Sequence, residues 1–224
     1  MSDVTSDPAG ATGGTRSVTF SATSKTGLTL DVSGLPSAGF GPRATTWWGT
    51  LAYCTLEGMG FALTIGIYLY LATVSAQEWP LQADHPDHLP GTLITILMLA
   101  SLLPNWWLKR RAEQCDLRSV RIGLVVMCLA GLMILGVRVF EFPALNIWWD
   151  TNAYGSILWL ILGLHTAHVA TDVGDTLVVT ALMFTRHAHA PRRFADVEDN
   201  AFYWYFVVLV WLPLYGLIYW GPRL

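Results

Sequence analysis

The sequence predicts an all-α membrane protein: a bundle of five transmembrane helices, with a cytoplasmic N-terminus and a periplasmic C-terminus. Three observations lead there. Of 224 residues, 53% are apolar, only 13% are charged and 11 are Trp, a balance that suits a chain surrounded by lipid. Five apolar runs reach the roughly 20 residues a helix needs to cross a ~30 Å hydrocarbon slab, and they lack the period-two alternation of barrel strands. Of the 13 Lys and Arg, eleven fall on one side of a five-span path. Positive-inside bias assigns that side to the cytoplasm.

Residues 1–43 are rich in Ser, Thr, Gly and Ala and hold no apolar stretch of signal-peptide length. They read as a disordered cytoplasmic tail ahead of a membrane domain at 44–224. Asp3, Asp7 and sparse Arg are unlike a mitochondrial transit peptide, which favours a bacterial plasma (inner) membrane. The first span, 47–74, opens on Trp47 and Trp48 and carries one charge, Glu57. The second, 89–108, ends at Trp106 and Trp107 and runs into a basic loop with Lys109, Arg110, Arg111, Arg118 and Arg121. The third, 122–142, carries Arg138 and, three residues on, Glu141. The fourth, 154–184, would be ~46 Å long at the helical rise and must tilt or project inward. The fifth, 201–220, follows Arg186, Arg192 and Arg193 and ends on Trp220. Tryptophans at these ends are interfacial anchors. The three cysteines follow no CxxC or CxxCH spacing, so neither a disulfide framework nor attached c-type haem is indicated.

A carboxylate at the bilayer centre costs roughly 2.5–3.5 kcal/mol, so Glu57 should face protein and mark a partner or a bound group. The fourth span bears His165, His168, Asp172 and Asp175 at spacings of three, four and three, one stripe of a helix. Counted from opposite faces, Glu57 and His165 are ~15 Å and ~16 Å deep, so they share a level. Two readings stand side by side: these groups satisfy one another and specify packing, or they form a lipid-headgroup or proton-responsive cluster. Arg138 and Glu141 can pair on one face near the outer surface, with Arg138 partly snorkelled or bound to a lipid phosphate. No metal site is expected, because a bundle site gathers ligands from several helices and the other spans offer few. Nucleic acid is not an expected partner either; the basic loop is a topology signal that also attracts anionic lipid.

Three segments, in this order and spacing, resemble subunit III of the haem-copper oxidases, in particular cytochrome c oxidase, in a short five-helix form. They are Thr55-Leu56-Glu57-Gly58-Met59-Gly60-Phe61, His165-Thr166-Ala167-His168-Val169, and Phe202-Tyr203-Trp204-Tyr205-Phe206-Val207-Val208-Leu209-Val210-Trp211-Leu212-Pro213-Leu214-Tyr215. The resemblance implies an accessory subunit that binds subunit I, shares its complex with subunit II, carries neither haem nor copper itself, holds structural phospholipids and supports proton uptake. Longer members have two further N-terminal helices across a lipid-filled cleft. The chain departs from the family in its last span, where Tyr205 replaces a His and Val208 an Asp. Asp172 stands where the family has a small residue, so an acid exchanged between neighbouring helices would put Asp172 near Val208.

The function this implies is that of a non-catalytic subunit of a proton-pumping cytochrome c oxidase, with haem and copper in the partner subunits. An accessory subunit of a nitric oxide reductase or quinol oxidase is the nearest alternative. From another class, a stand-alone proton-coupled transporter would use Glu57, His165 and Asp172 as a relay. An odd number of spans without internal repeats argues against it.

Overall fold

The computed structural model describes residues 39–74, 79, 85–185, 188 and 190–223. Most of the expected tail therefore lies outside the described residues, as do His187 and His189. Five helices, each long and apolar enough to cross a membrane, make up the rest: α1 (Thr45–Val74), α2 (His88–Glu113), α3 (Leu117–Glu141), α4 (Ala153–Met183) and α5 (Pro191–Tyr215). A π-helical turn, Gly216–Trp220, continues α5.

The ends of these helices are set by capping chemistry that hydropathy does not register. Helix α5 starts at Pro191, ten residues before the apolar run expected from 201. Pro fits the first helical turn, where no intrahelical acceptor waits for an N–H, and Phe194, Val197 and Glu198 bury their side chains in this extension. Asp116 caps α3: its Oδ1 accepts from the Ser119 amide at 3.4 Å and its Oδ2 from the Ser119 hydroxyl at 2.6 Å. Those two bonds, with Arg111 nearby, hold the half-buried Asp116 carboxyl below the usual carboxylate range. Asn152 caps α4 by accepting from the Gly155 amide at 2.8 Å. At the other end of α4, Arg121 Nε donates to the Met183 carbonyl at 2.8 Å, satisfying one of its last free acceptors.

Helix α2 packs on α3 and α5, and α4 packs on the same two, so these four close a ring. Helix α1 lies outside it against α4 and α5. Burial follows: half of the most apolar stretch of α4 is buried, against 22% for α1. Leu124, Ile134, Leu158, Leu162 and Trp211 fill the centre with no exposure.

A ladder of hydrogen bonds ties α2 to α5. Asn105 Nδ2 donates to the Ala201 carbonyl, the Trp204 indole to Ser101 Oγ and the Trp211 indole to Thr95 Oγ1, each at 2.8 Å. Thr92 and Tyr215 share a fourth, also at 2.8 Å. No water competes for such bonds in a bilayer, so each fixes register as well as adding energy. Two glycines let backbones approach. A Cβ at Gly91 would collide with the Tyr219 ring, and one at Gly131 would come within 2.5 Å of Val173 Cγ2.

Candidate functional site

The polar stripe on α4 is present but divides. Three residues are 300° of helix, so His165 and His168 differ in direction by about 60° and reach different neighbours.

His165 turns into the ring, fully buried, toward Arg138 on α3 and α5 beyond. Arg138 NH2 lies 3.0 Å from His165 Nδ1. A guanidinium only donates, so Nδ1 must accept, and His165 carries its proton on Nε2. That proton is donated to the Val207 carbonyl at 3.1 Å. Arg138 NH1 pairs with Glu141 Oε2, and the Tyr219 hydroxyl donates to Glu141 Oε1 at 2.6 Å. The guanidinium sits 4.3 Å from the centre of the Trp211 ring. One positive and one negative group enclosed together make the cluster neutral, which is what makes their burial bearable.

The ion pair of Arg138 and Glu141 is therefore present, in the last turn of α3 as expected, but the expected snorkelling of Arg138 is corrected. Arg138 is 1% exposed and Glu141 fully buried, so neither snorkels. Arg138 turns inward because Glu141 and His165 engage its terminal nitrogens and Trp211 covers the face of its guanidinium.

His168 turns to α1. Its Nδ1 lies 2.7 Å from the Leu164 carbonyl and its Nε2 2.6 Å from Glu57 Oε2. A carbonyl only accepts, so Nδ1 carries a proton. A further proton must then lie between Nε2 and the carboxyl oxygen, with the pair either acid and neutral imidazole or carboxylate and imidazolium. Both forms are neutral overall. Phe61 covers the imidazole at 4.8 Å between ring centres, while the Glu57 side chain keeps 26% of its surface exposed. Glu57 thus meets His168 and not His165, the residue whose depth matches its own; His165 belongs to the other cluster.

Asp172 and Asp175 lie farther along α4, at the rim of a groove of about 670 Å³ between α1, α4 and the start of α5. Tyr53, Asp199, Asn200 and Tyr203 also line it. Asn200 Nδ2 donates to Asp175 Oδ2 at 3.0 Å, and the Thr176 hydroxyl lies 3.2 Å from Asn200 Oδ1. Asp172 is 3% exposed, and its Oδ1 has no hydrogen-bond partner among the described residues; neither has the Tyr203 hydroxyl. Tyr53 stands next to both Glu57 and Tyr203, linking the groove to the Glu57–His168 pair.

The expected exchange of an acid between Val208 and Asp172 is not what the structure contains. His165 is level with Val207, so Asp172, seven residues along an antiparallel neighbour, is level with Asn200. Val208 lies between Trp204 and Trp211, whose indoles bond to α2.

Among the described residues, no three His, Cys, Asp or Glu side chains gather as a metal site. Both ring nitrogens of His165 and of His168 are already engaged. Sequence reasoning missed Trp211, Tyr219 and Tyr53 as members of these clusters. For the first two, the only available signal is their place in the last span opposite Arg138 and Glu141.

Comparisons with known proteins agree with this architecture. The family model described as cytochrome c oxidase subunit III matches residues 71–222, which span α2 to α5 and leave Glu57 ahead of the match. The chain is 26% identical over 185 residues to cytochrome c oxidase subunit 3 of Locusta migratoria, covering 77% of this chain and 68% of that one. It is 25% identical over 179 residues to the probable cytochrome c oxidase subunit 3 of Mycobacterium tuberculosis, and 26% over 176 to that of Corynebacterium diphtheriae. Each of these covers 76% of this chain and 85% of the relative. With five apolar helices of the expected kind and a family match over most of its length, the chain belongs to the cytochrome c oxidase subunit III family.

Proposed function

We propose that this chain is the accessory, non-catalytic subunit III of a proton-pumping cytochrome c oxidase in a bacterial plasma membrane. It docks on subunit I in a complex that also contains subunit II, and those partners hold the haem and copper. Membrane phospholipids cover the flank of α1, whose Leu56, Met59 and Leu63 are each 67% exposed. Its own contribution to turnover is a proton held between Glu57 and His168 and exchanged through the acid-lined groove.

The observation that carries this reading is the 2.6 Å contact between Glu57 and His168, in which the Leu164 carbonyl fixes one imidazole proton and leaves the other shared. Such a pair changes its proton location without changing net charge, so it can respond to the groove at little desolvation cost. Asp172, Asp175 and Asp199 supply carboxylates around that groove, and Tyr53 and Tyr203 supply hydroxyls between it and Glu57.

Glu57→Gln tests the reading because the amide keeps size and can still hydrogen-bond His168 Nε2, but cannot titrate. In the purified oxidase the variant should assemble normally, lose activity faster during turnover and show an altered pH profile of proton uptake. Infrared difference spectra should lose a carboxyl band assigned to Glu57. A time course and pH profile identical to wild type would reduce Glu57 to a packing residue.

A further inference from the structure

The groove between α1, α4 and the start of α5 is rich in acceptors and poor in donors. Four carboxyls, of Asp172, Asp175, Asp196 and Asp199, line it with one guanidinium, Arg193, which donates to Asp196 at 3.0 Å. The other three carboxyls have no cation among the lining residues. Asn200 occupies Asp175 Oδ2 and leaves Oδ1 free. Thr50 and Thr171 donate their hydroxyl protons to carbonyls of their own helices, so they offer the groove lone pairs alone.

Asp172 sets this groove apart from a surface cluster of acids. It is buried, and neither of its carboxyl oxygens accepts a hydrogen bond from the described residues: Oδ1 is sealed within the protein, while Oδ2 is the oxygen that reaches the groove. A carboxylate set this deep without a donor is costly, and the cost falls when a ligand brings positive charge and N–H groups to it.

The walls select among cations. Val178, Val179 and Leu182 follow Asp175 toward the end of α4 and lay an apolar strip up to the acids, and the Tyr53 and Tyr203 rings, 5.6 Å apart, close the inner end. A primary ammonium on an unbranched carbon stem suits both parts, with three N–H donors for the acceptors and methylenes for the strip. A bare metal ion suits them less, because among the described residues no three His, Cys, Asp or Glu side chains converge to ligate one. A phospholipid suits them less again, since its phosphate would lie among carboxyls that nothing neutralises.

We propose that the groove binds a protonated aliphatic amine of the polyamine class, its ammonium donating to Asp172 Oδ2 and Asp175 Oδ1 and its stem lying along Val178, Val179 and Leu182. Amine binding goes beyond the proton role proposed for Glu57 and stands without it, because other residues hold the ligand.

Equilibrium dialysis of the purified full-length chain in dodecyl maltoside against radiolabelled putrescine, at low ionic strength and near-neutral pH, tests it. One molecule should be retained per chain and be displaced by n-butylammonium but not by tetramethylammonium, which has the charge without the N–H groups. Asp172→Asn and Asp175→Asn keep shape while removing charge and should each weaken retention by about tenfold or more. Gly49→Leu puts a side chain into the groove from α1, where nothing lies within 4 Å of an added Cβ, and should abolish retention with every carboxyl in place. Glu57→Gln should bind as wild type does, so a failure of the proton role and a failure of this site are read separately. No saturable retention by the wild-type chain would overturn the proposal, as would retention unchanged in the folded Asp172, Asp175 and Gly49 variants. Displacement by tetramethylammonium or by magnesium chloride at matched ionic strength would overturn it equally, because the groove would then select charge and not an N–H donor.

Discussion

Arg138 and Glu141 form an enclosed pair, whereas Glu57 and His168 form one at a rim, and the difference sets what substitution does. Removing one member of a buried ion pair leaves the other charged, dry and unpaired, at a cost of about 3–5 kcal/mol. Glu141→Gln keeps an acceptor for the Tyr219 hydroxyl but no longer neutralises the guanidinium. Arg138→Met likewise strands Glu141 and removes the donor on which the His165 Nδ1 lone pair depends. Each should therefore lower stability by about that amount, while the double variant should lose clearly less than the sum, because neither charge is then orphaned. Unfolding in mixed detergent micelles measures all four corners of the cycle, and strict additivity would mean that the pair is not coupled. Glu57→Gln should be far milder, since Glu57 retains 26% exposure and its amide replacement keeps the bond to His168. The identities of these residues were legible in the sequence, and so was the pairing of Arg138 with Glu141. The enclosure of that pair was not, because hydropathy counts residues along one helix, while burial of Arg138 depends on Trp211 and Tyr219 arriving from the far end of the chain.

Individual helices were read well where lipid solvation dictates the sequence and poorly where it does not. The existence and order of all five follow from apolar length, but the first ten residues of α5, from Pro191 to Asn200, carry charges and lie beyond what a hydrocarbon slab selects. The stripe on α4 was legible from its spacing. Its division between two neighbours was not, because a rotation of about 60° matters only once the flanking helices are placed. Ser101, Thr95 and Asn105 gave no signal of the α2–α5 ladder, since Ser and Thr are common in lipid-crossing helices and can bond their own backbone. Close approach at this same interface separates the glycines into two kinds. At Gly91 an added Cβ meets the Tyr219 ring, which cannot retreat because it is fully buried and its hydroxyl is held by Glu141. Gly91→Ala should cost roughly 1–3 kcal/mol of overpacking strain. At Gly60, on the outer face of α1, nothing lies within 4 Å of the added methyl, and Gly60→Ala should instead stabilise by roughly 0.5–1 kcal/mol through helix propensity. Thermal unfolding of the two variants side by side checks both signs; equal effects would mean that Tyr219 moves aside freely.

For the whole molecule, a closed ring of four helices with α1 on its flank leaves the acid-lined groove at one end and the enclosed Arg138–Glu141 pair toward the other, so the orientation of the chain decides which aqueous phase the groove can meet. The bias of Lys and Arg predicts a cytoplasmic α2–α3 loop, and with it a groove that opens to the cytoplasm. Of the Lys and Arg among the described residues, only Arg223 stands at the opposite end outside α1–α5, and it is tied down by the Tyr219 and Pro86 carbonyls. Native cysteines provide the test without fusion partners. Cys115 is exposed in the α2–α3 turn, while Cys54 and Cys128 are buried within α1 and α3. A membrane-impermeant maleimide should therefore leave the chain unlabelled in intact spheroplasts and modify it once in inside-out vesicles, and Cys115→Ser should abolish that single label. Labelling of Cys115 from the outer face of sealed spheroplasts would invert the bundle. The groove beside Glu57 would then open to the periplasm, and its protons would have to come from the side toward which the oxidase pumps.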